Sequence, residues 1–78
     1  MRKAGSVAKV VGGSRLRAIT KENKLADTGM QEGALVDMDR DCVIVGYVDP
    51  NAYVINLKFE GKVLTGWVYS HELAGKQD

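Results

Sequence analysis

Apolar and polar positions alternate most cleanly from Tyr53 to Glu60. Tyr53, Ile55, Leu57 and Phe59 fall on one side and Asn56, Lys58 and Glu60 on the other, the period of a half-buried strand. Glu60-Gly61 carries turn residues, and a two-residue loop there sets the register with the next strand, Lys62 to Tyr69. Phe59 then lies opposite Lys62, Leu57 opposite Leu64, Ile55 opposite Gly66 and Tyr53 opposite Val68. Leu64 and Val68 join the core face. Trp67, opposite Val54, falls on the other face with Val63 and Tyr69. A slip of one residue would exchange the faces.

The remaining pattern is made of shorter pieces. Residues 1–6 read as a frayed tail, Val7 to Val11 as a strand, and Gly12-Gly13-Ser14 as a turn. Leu16 to Ile19 is a brief apolar stretch of poor alternation. Thr20 to Gly29 has only Leu25 and Ala26 to bury and reads as a long ordered loop. Leu35 to Met38 reads as a strand. The β-branched run Cys42 to Val48 is too short for a helix and reads as a strand buried on both faces. Asp49-Pro50-Asn51 is a turn, with proline supplying its fixed φ. Many short strands and no convincing helix imply an all-β barrel or sandwich.

At 78 residues the chain is one domain near the lower limit for an unaided core. A lone cysteine, Cys42, excludes an internal disulfide and suits a reducing compartment. No signal-peptide pattern follows Arg2-Lys3, and the longest apolar run is far below the about 18 residues of a membrane span. The expectation is a cytoplasmic protein without a membrane partner. Net charge is +1, but residues 1–24 hold seven bases against Glu22, while residues 25–60 hold seven acids against Arg40 and Lys58. Mutual neutralisation of the two segments in the fold is favoured over a basic arm for nucleic acid, because whole nucleic-acid-binding domains are usually strongly basic.

The stretch Gly66-Trp67-Val68-Tyr69-Ser70-His71-Glu72-Leu73 resembles the closing segment of bacterial SH3-like (SH3b) domains. Leu16-Arg17-Ala18 is similar to that family's opening strand. Met30 to Val36 is similar to its Leu-x-x-Gly-x-x-Val step, and Tyr53 to Leu57 to the strand before its distal hairpin. The resemblance spans roughly residues 15–74. It implies a small SH3-like β-barrel of five or six short strands, a 3₁₀ turn near residues 70–73, and a bacterial or phage origin. The domain would run over 7–74, with tails at 1–6 and 75–78. The sequence departs from the family in a hairpin about two residues longer, in Ala52-Tyr53 where the family has tryptophan, and in Arg17 preceding Ala18. Plasmid-type dihydrofolate reductases are similarly small barrels that work as tetramers. Their reactive strand has a glutamine that Gly66-Trp67-Val68-Tyr69 lacks, so that activity is not expected, although assembly into homo-oligomers is a reading such barrels invite.

Enzyme chemistry is not expected. Asp37-x-Asp39-x-Asp41 imitates a calcium loop, but Cys42 and Val48 stand where glycine and glutamate belong, so no metal site is read there. A Cys42–His71 nucleophilic pair is outweighed by Cys42 opening an apolar run, where a thiol is an inert small hydrophobe. No catalytic residue, cofactor or metal is assigned.

Trp67, Tyr69, Tyr47 and Tyr53 are the candidate ligand contacts, because amphipathic aromatics anchor peptides and subunits. Trp67 is either such a contact or a plug over an open end of the core. The expected function is a non-catalytic binding or assembly module that takes a peptide or protein partner on an aromatic groove. Trp67 and Tyr69 would form its floor, the loop 20–33 its wall, and Asp37, Asp39 and Arg17 would tune the partner. The alternative is RNA or DNA binding through Arg15, Arg17, Lys21 and Lys24.

Overall fold

The structure, a computed structural model, describes residues 2–17 and 34–75. They form an all-β unit of six strands: β1 (Val7–Val10), β2 (Arg15–Leu16), β3 (Ala34–Leu35), β4 (Arg40–Val48), β5 (Ala52–Phe59) and β6 (Lys62–Tyr69), followed by a 3₁₀ turn at Ser70–Glu72. Strands β1, β4, β5 and β6 make one antiparallel sheet in the order β1-β4-β5-β6, and β2 pairs with β3. No helix among the described residues is long and apolar enough to cross a membrane.

The β5–β6 hairpin has the register that the alternation implies. Phe59 faces Lys62, Leu57 faces Leu64, Ile55 faces Gly66, Val54 faces Trp67 and Tyr53 faces Val68. The two-residue loop places Glu60 at φ 51° and Gly61 at φ 80°, the left-handed pair that matches the twist of a tight hairpin. Glycine adopts that conformation freely, whereas Glu60 does so against its own side chain.

Strand β4 differs from expectation. Cys42 and Ile44 are buried, but Val43 and Val45 are 40% and 46% exposed, so the run is buried on one face only. An antiparallel sheet in a domain this small has one face on the core and one on solvent, whatever the residues of the outer face. The register also shifts between Ile44 and Gly46, a bulge that takes Val45 out of the ladder. The segment read as a strand from Leu35 to Met38 pairs only at Ala34–Leu35; Val36 is fully buried and Met38 is 59% exposed.

Val10, Val36, Ile44, Ile55, Leu57 and Val68 are each at most 1% exposed and form the centre of the core. Burial of side chains of this size contributes about 1.5–3 kcal/mol each before entropy is counted. Strands β1 and β6 do not pair with each other. The β1 edge instead takes the segment after the 3₁₀ turn, through a Val10–Leu73 bridge and an Ala74 N–H donated to the Lys9 carbonyl at 2.8 Å. The β6 edge takes Arg17, whose N–H donates to the Trp67 carbonyl at 3.0 Å while the Trp67 N–H donates to the Arg17 carbonyl at 2.9 Å.

Residues 2–6, expected as a frayed tail, lie bonded along the sheet. The Gly5 N–H donates to the Ile44 carbonyl at 2.7 Å and the Arg2 N–H to the Tyr53 hydroxyl at 2.9 Å. The Arg2 guanidinium donates to the Ala74 carbonyl at 2.8 Å. The expected loop 20–29 and the residues after Gly75 lie outside the described residues.

Candidate functional site

Trp67 and Tyr69 are two apart on β6 and share the face opposite Val68. Close approach of another segment to that strand is made possible by Gly66. A Cβ built there would lie 2.5 Å from the Arg17 carbonyl oxygen and 2.7 Å from Leu16 Cγ, so only glycine admits the chain at Leu16–Arg17. The backbone pairing of Arg17 with Trp67 follows from that room, and it carries the Arg17 side chain over the aromatic pair. The guanidinium carbon lies 5.0 Å from the Trp67 ring centroid and 4.7 Å from that of Tyr69. The two rings meet edge to face at 5.0 Å. His71, exposed in the 3₁₀ turn, stacks on Tyr69 with centroids 5.6 Å apart and planes within 10°.

Glu72 ties these parts together. Its Oε1 accepts from Arg17 Nη1 at 2.8 Å and from the Tyr69 N–H at 2.8 Å, and its Oε2 accepts from the Arg15 N–H at 3.4 Å. Arg17 Nη1 also donates to the Arg15 carbonyl at 2.9 Å. Both members of the ion pair are largely enclosed, with side chains 17% and 11% exposed. Burial pushes the Glu72 carboxyl up, but the Arg17 guanidinium and the Tyr69 and Arg15 N–H groups outweigh it and hold the pKa below the ordinary glutamate value. The carboxylate therefore stays charged and Arg17 stays anchored. A carboxylate three residues beyond Tyr69 reaching back to its N–H is half of a capping box, and that spacing was the available sequence signal for Glu72.

The four expected aromatics divide two and two across the sheet. Trp67 is 5% exposed, so it is an enclosed support and not the open floor the pattern suggested. Alternation correctly puts it off the core face, but Arg17 and Tyr69 cover it. Its indole N–H has no acceptor among the described residues. Tyr53 is 1% exposed on the core face and offers no surface to a partner. Its ring meets half-buried Tyr47 edge to face at 5.2 Å, and the Tyr47 hydroxyl donates to the Pro50 carbonyl.

Asp37 and Asp39 belong to the other end of the sheet. Asp37 holds Arg40, and Asp39 accepts the Gly12 N–H at 2.8 Å; neither bonds to Arg17. Asp41 pairs with Lys9 at 3.5 Å. The three aspartates of the calcium-like spacing thus serve three different partners, and the described residues contain no cluster of His, Cys, Asp and Glu suited to a metal ion. Of the basic set, Arg17 pairs with Glu72 through its guanidinium and Arg15 bonds to it only through its backbone N–H, while Lys21 and Lys24 lie outside the described residues. Cys42 is 2% exposed in the core, and its thiol is pushed up to about 11 by burial, so it is held protonated and unreactive at neutral pH. His71 is exposed and packs on Tyr69.

No known protein family matches the chain, and neither does any curated protein or solved structure.

Proposed function

We propose that the chain is a small SH3-like barrel that works as a non-catalytic module, taking an extended peptide of a protein partner on the Tyr69–His71 face. The observation that carries this reading is the stack itself. Half-buried Tyr69 and exposed His71 present flat amphipathic surfaces, and the layer beneath them, Trp67, Arg17 and Glu72, is fixed by hydrogen bonds and enclosed. A rigid aromatic surface of this kind binds without first losing side-chain entropy, and an extended, proline-bearing peptide brings little entropy to lose. The order of the described elements supports the SH3-like reading: a first strand, a three-stranded meander, a 3₁₀ turn and a return to the first strand. Peptide is favoured over nucleic acid because the Arg17 charge is already satisfied by Glu72.

Trp67 fluorescence reports the test, because Tyr69 touches its indole. A panel of proline-rich peptides should change the emission saturably, with little dependence on salt, and Tyr69→Ala or His71→Ala should abolish the change while thermal unfolding stays cooperative. A single-stranded oligonucleotide that binds this face in its place, with affinity falling steeply as salt rises, would overturn the peptide reading. So would a peptide response that survives both substitutions.

A further inference from the structure

The outer face of the four-stranded sheet is covered at one end and bare at the other. Register lines its residues up in rows across the strands. Lys9 lies opposite Asp41 and Lys58 opposite Val63, and Asp41 and Lys58 are the next residues beyond the Cys42–Leu57 pair, so these four make one row. Val7, Val43, Asn56 and Thr65 make the next row on the same face, while Ala8, Cys42, Leu57 and Leu64 between them point to the core. At the Trp67–Tyr69 end Arg17 roofs this face. At the other end nothing among the described residues does: Val7 is 72% and Val63 62% exposed, and Val43 and Val45 are open as well.

Valines occupy the middle of the bare part, and the charged row forms its rim. Asp41 pairs with Lys9 at 3.5 Å, yet its side chain stays 70% exposed. Lys58, the next base across the row, has no carboxylate within 4.0 Å among the described residues. The Thr65 hydroxyl donates to Asn56 Oδ1 at 2.6 Å, so it keeps its partner when the face is covered. A hollow of about 210 Å³ opens between Asp41, Val43, Asn56 and Lys58. It is smaller than small-molecule sites, which run from about 300 Å³, and it leaves room beside Asp41 for one incoming side chain.

We propose that this bare part binds a second copy of the chain, face to face, in a weak reversible dimer. A two-fold axis running along the strands between β4 and β5 sets residues of β4 against their cross-strand neighbours on β5 of the other copy. Asp41 of each copy then meets Lys58 of the other, giving two identical ion pairs, and Val45, exposed at the bulge, meets Val54 of the other. An isologous contact requires this self-complementarity, with acid and base equally far from the axis on either side. The outer strands follow the same operation. Lys9 lays its stem over Val63 of the other copy and keeps its charge in water, and Val7 faces Thr65. Four strands about 4.8 Å apart and five residues rising about 3.3 Å each make a flat footprint of about 320 Å² per copy, or roughly 650 Å² for the pair. Side-chain relief adds to that, but the contact stays in the weak class, below about 1,200 Å². Two bases to one acid on each face add a mild repulsion, which also keeps the dimer weak. Thr65 lies four residues, about 13 Å of strand, from Tyr69, so the peptide face stays outside the footprint.

Sedimentation equilibrium and amide NMR of the whole chain, from about 10 μM to about 1 mM, test the proposal. A monomer–dimer equilibrium should be seen, and amides of Val7, Val43, Asn56 and Lys58 should shift with concentration while the Trp67 indole resonance does not. Val43→Lys, which puts a charge in the middle of the contact, should weaken the dimer by at least about tenfold with an unchanged melting temperature. Lys58→Asp sets acid against acid and should weaken it similarly, and Asp41→Lys/Lys58→Asp, which restores opposite charges across the axis, should recover the affinity. Tyr69→Ala should leave the dimer unaltered. Four results each overturn the proposal: a monomer throughout, a dimer indifferent to Val43→Lys, a double charge swap no tighter than Lys58→Asp alone, or a dimer lost with Tyr69→Ala.

Discussion

The two ends of the sheet carry the same three components put to different use. At one end Arg17 lies over Trp67 and Tyr69 and is neutralised by Glu72; at the other Arg40 lies over Phe59 and is neutralised by Asp37. The guanidiniums are similarly enclosed, at 17% and 20% exposed, so the difference is in the acids. Glu72 is 11% exposed and accepts two backbone N–H groups besides its arginine, whereas Asp37 is 53% exposed and binds Arg40 within one local turn. An arginine–aromatic–carboxylate set is thus a structural strut where the acid also holds backbone, and a surface arrangement where it does not.

The comparison breaks first at Glu72. Glu72→Ala leaves Arg17 enclosed without its counter-charge and frees the Tyr69 and Arg15 N–H groups, and should destabilise the fold by roughly 3–5 kcal/mol in urea unfolding. A loss no larger than that of an exposed pair would mean that the strut is not one. Next comes Gly66→Ala, whose methyl group would press on Arg17 and Leu16; the expected cost is about 1–3 kcal/mol, with a Trp67 emission shifted by the displaced neighbour.

Acid gives a third, smaller effect. The folded Glu72 pKa is lowered, so its contribution is complete above the ordinary value of 4.5 and is lost as pH falls through the folded value. Stability measured against pH should therefore fall below about 4.5, and Glu72→Gln should flatten that limb. Asp37→Asn is the smallest perturbation. Arg40 also holds the folded Asp37 pKa low, but the group is so exposed that solvent screens the pair, and the melting temperature should not move measurably. A clear loss of stability there would erase the distinction between the two ends.

What the sequence made legible was local. Strict alternation from Tyr53 to Glu60 and a two-residue turn at Glu60-Gly61 were enough to set the whole hairpin register, because a strand with one buried face has only one register that keeps its apolar residues inside. The enclosure of Trp67 was not legible. It depends on Arg17, fifty positions away, being admitted to the β6 edge by the missing Cβ of Gly66. For the same reason the pairing of Glu72 with Arg17 and the Arg15 N–H is not legible, since both partners are remote in sequence; only its spacing from Tyr69 is a local signal. The alternation of Tyr53 places it inward, against a contact role, and the apolar character of Val43 and Val45 conceals that their face is open. Composition speaks to how a strand is built more than to which of its faces is covered.

The contacts of Arg2 bear on when the fold can be completed. Its partners are Tyr53 and Ala74, 51 and 72 positions away, whereas β4, β5 and β6 pair across short turns with their immediate neighbours. During synthesis the meander has everything it needs once Tyr69 has emerged, but β1 waits for Leu73 and Ala74 to reach its free edge. Loop-closure entropy falls most heavily on those last long-range contacts, so β1, already paired with β4 along one edge, gains cover on its other edge only once Leu73 and Ala74 are in place.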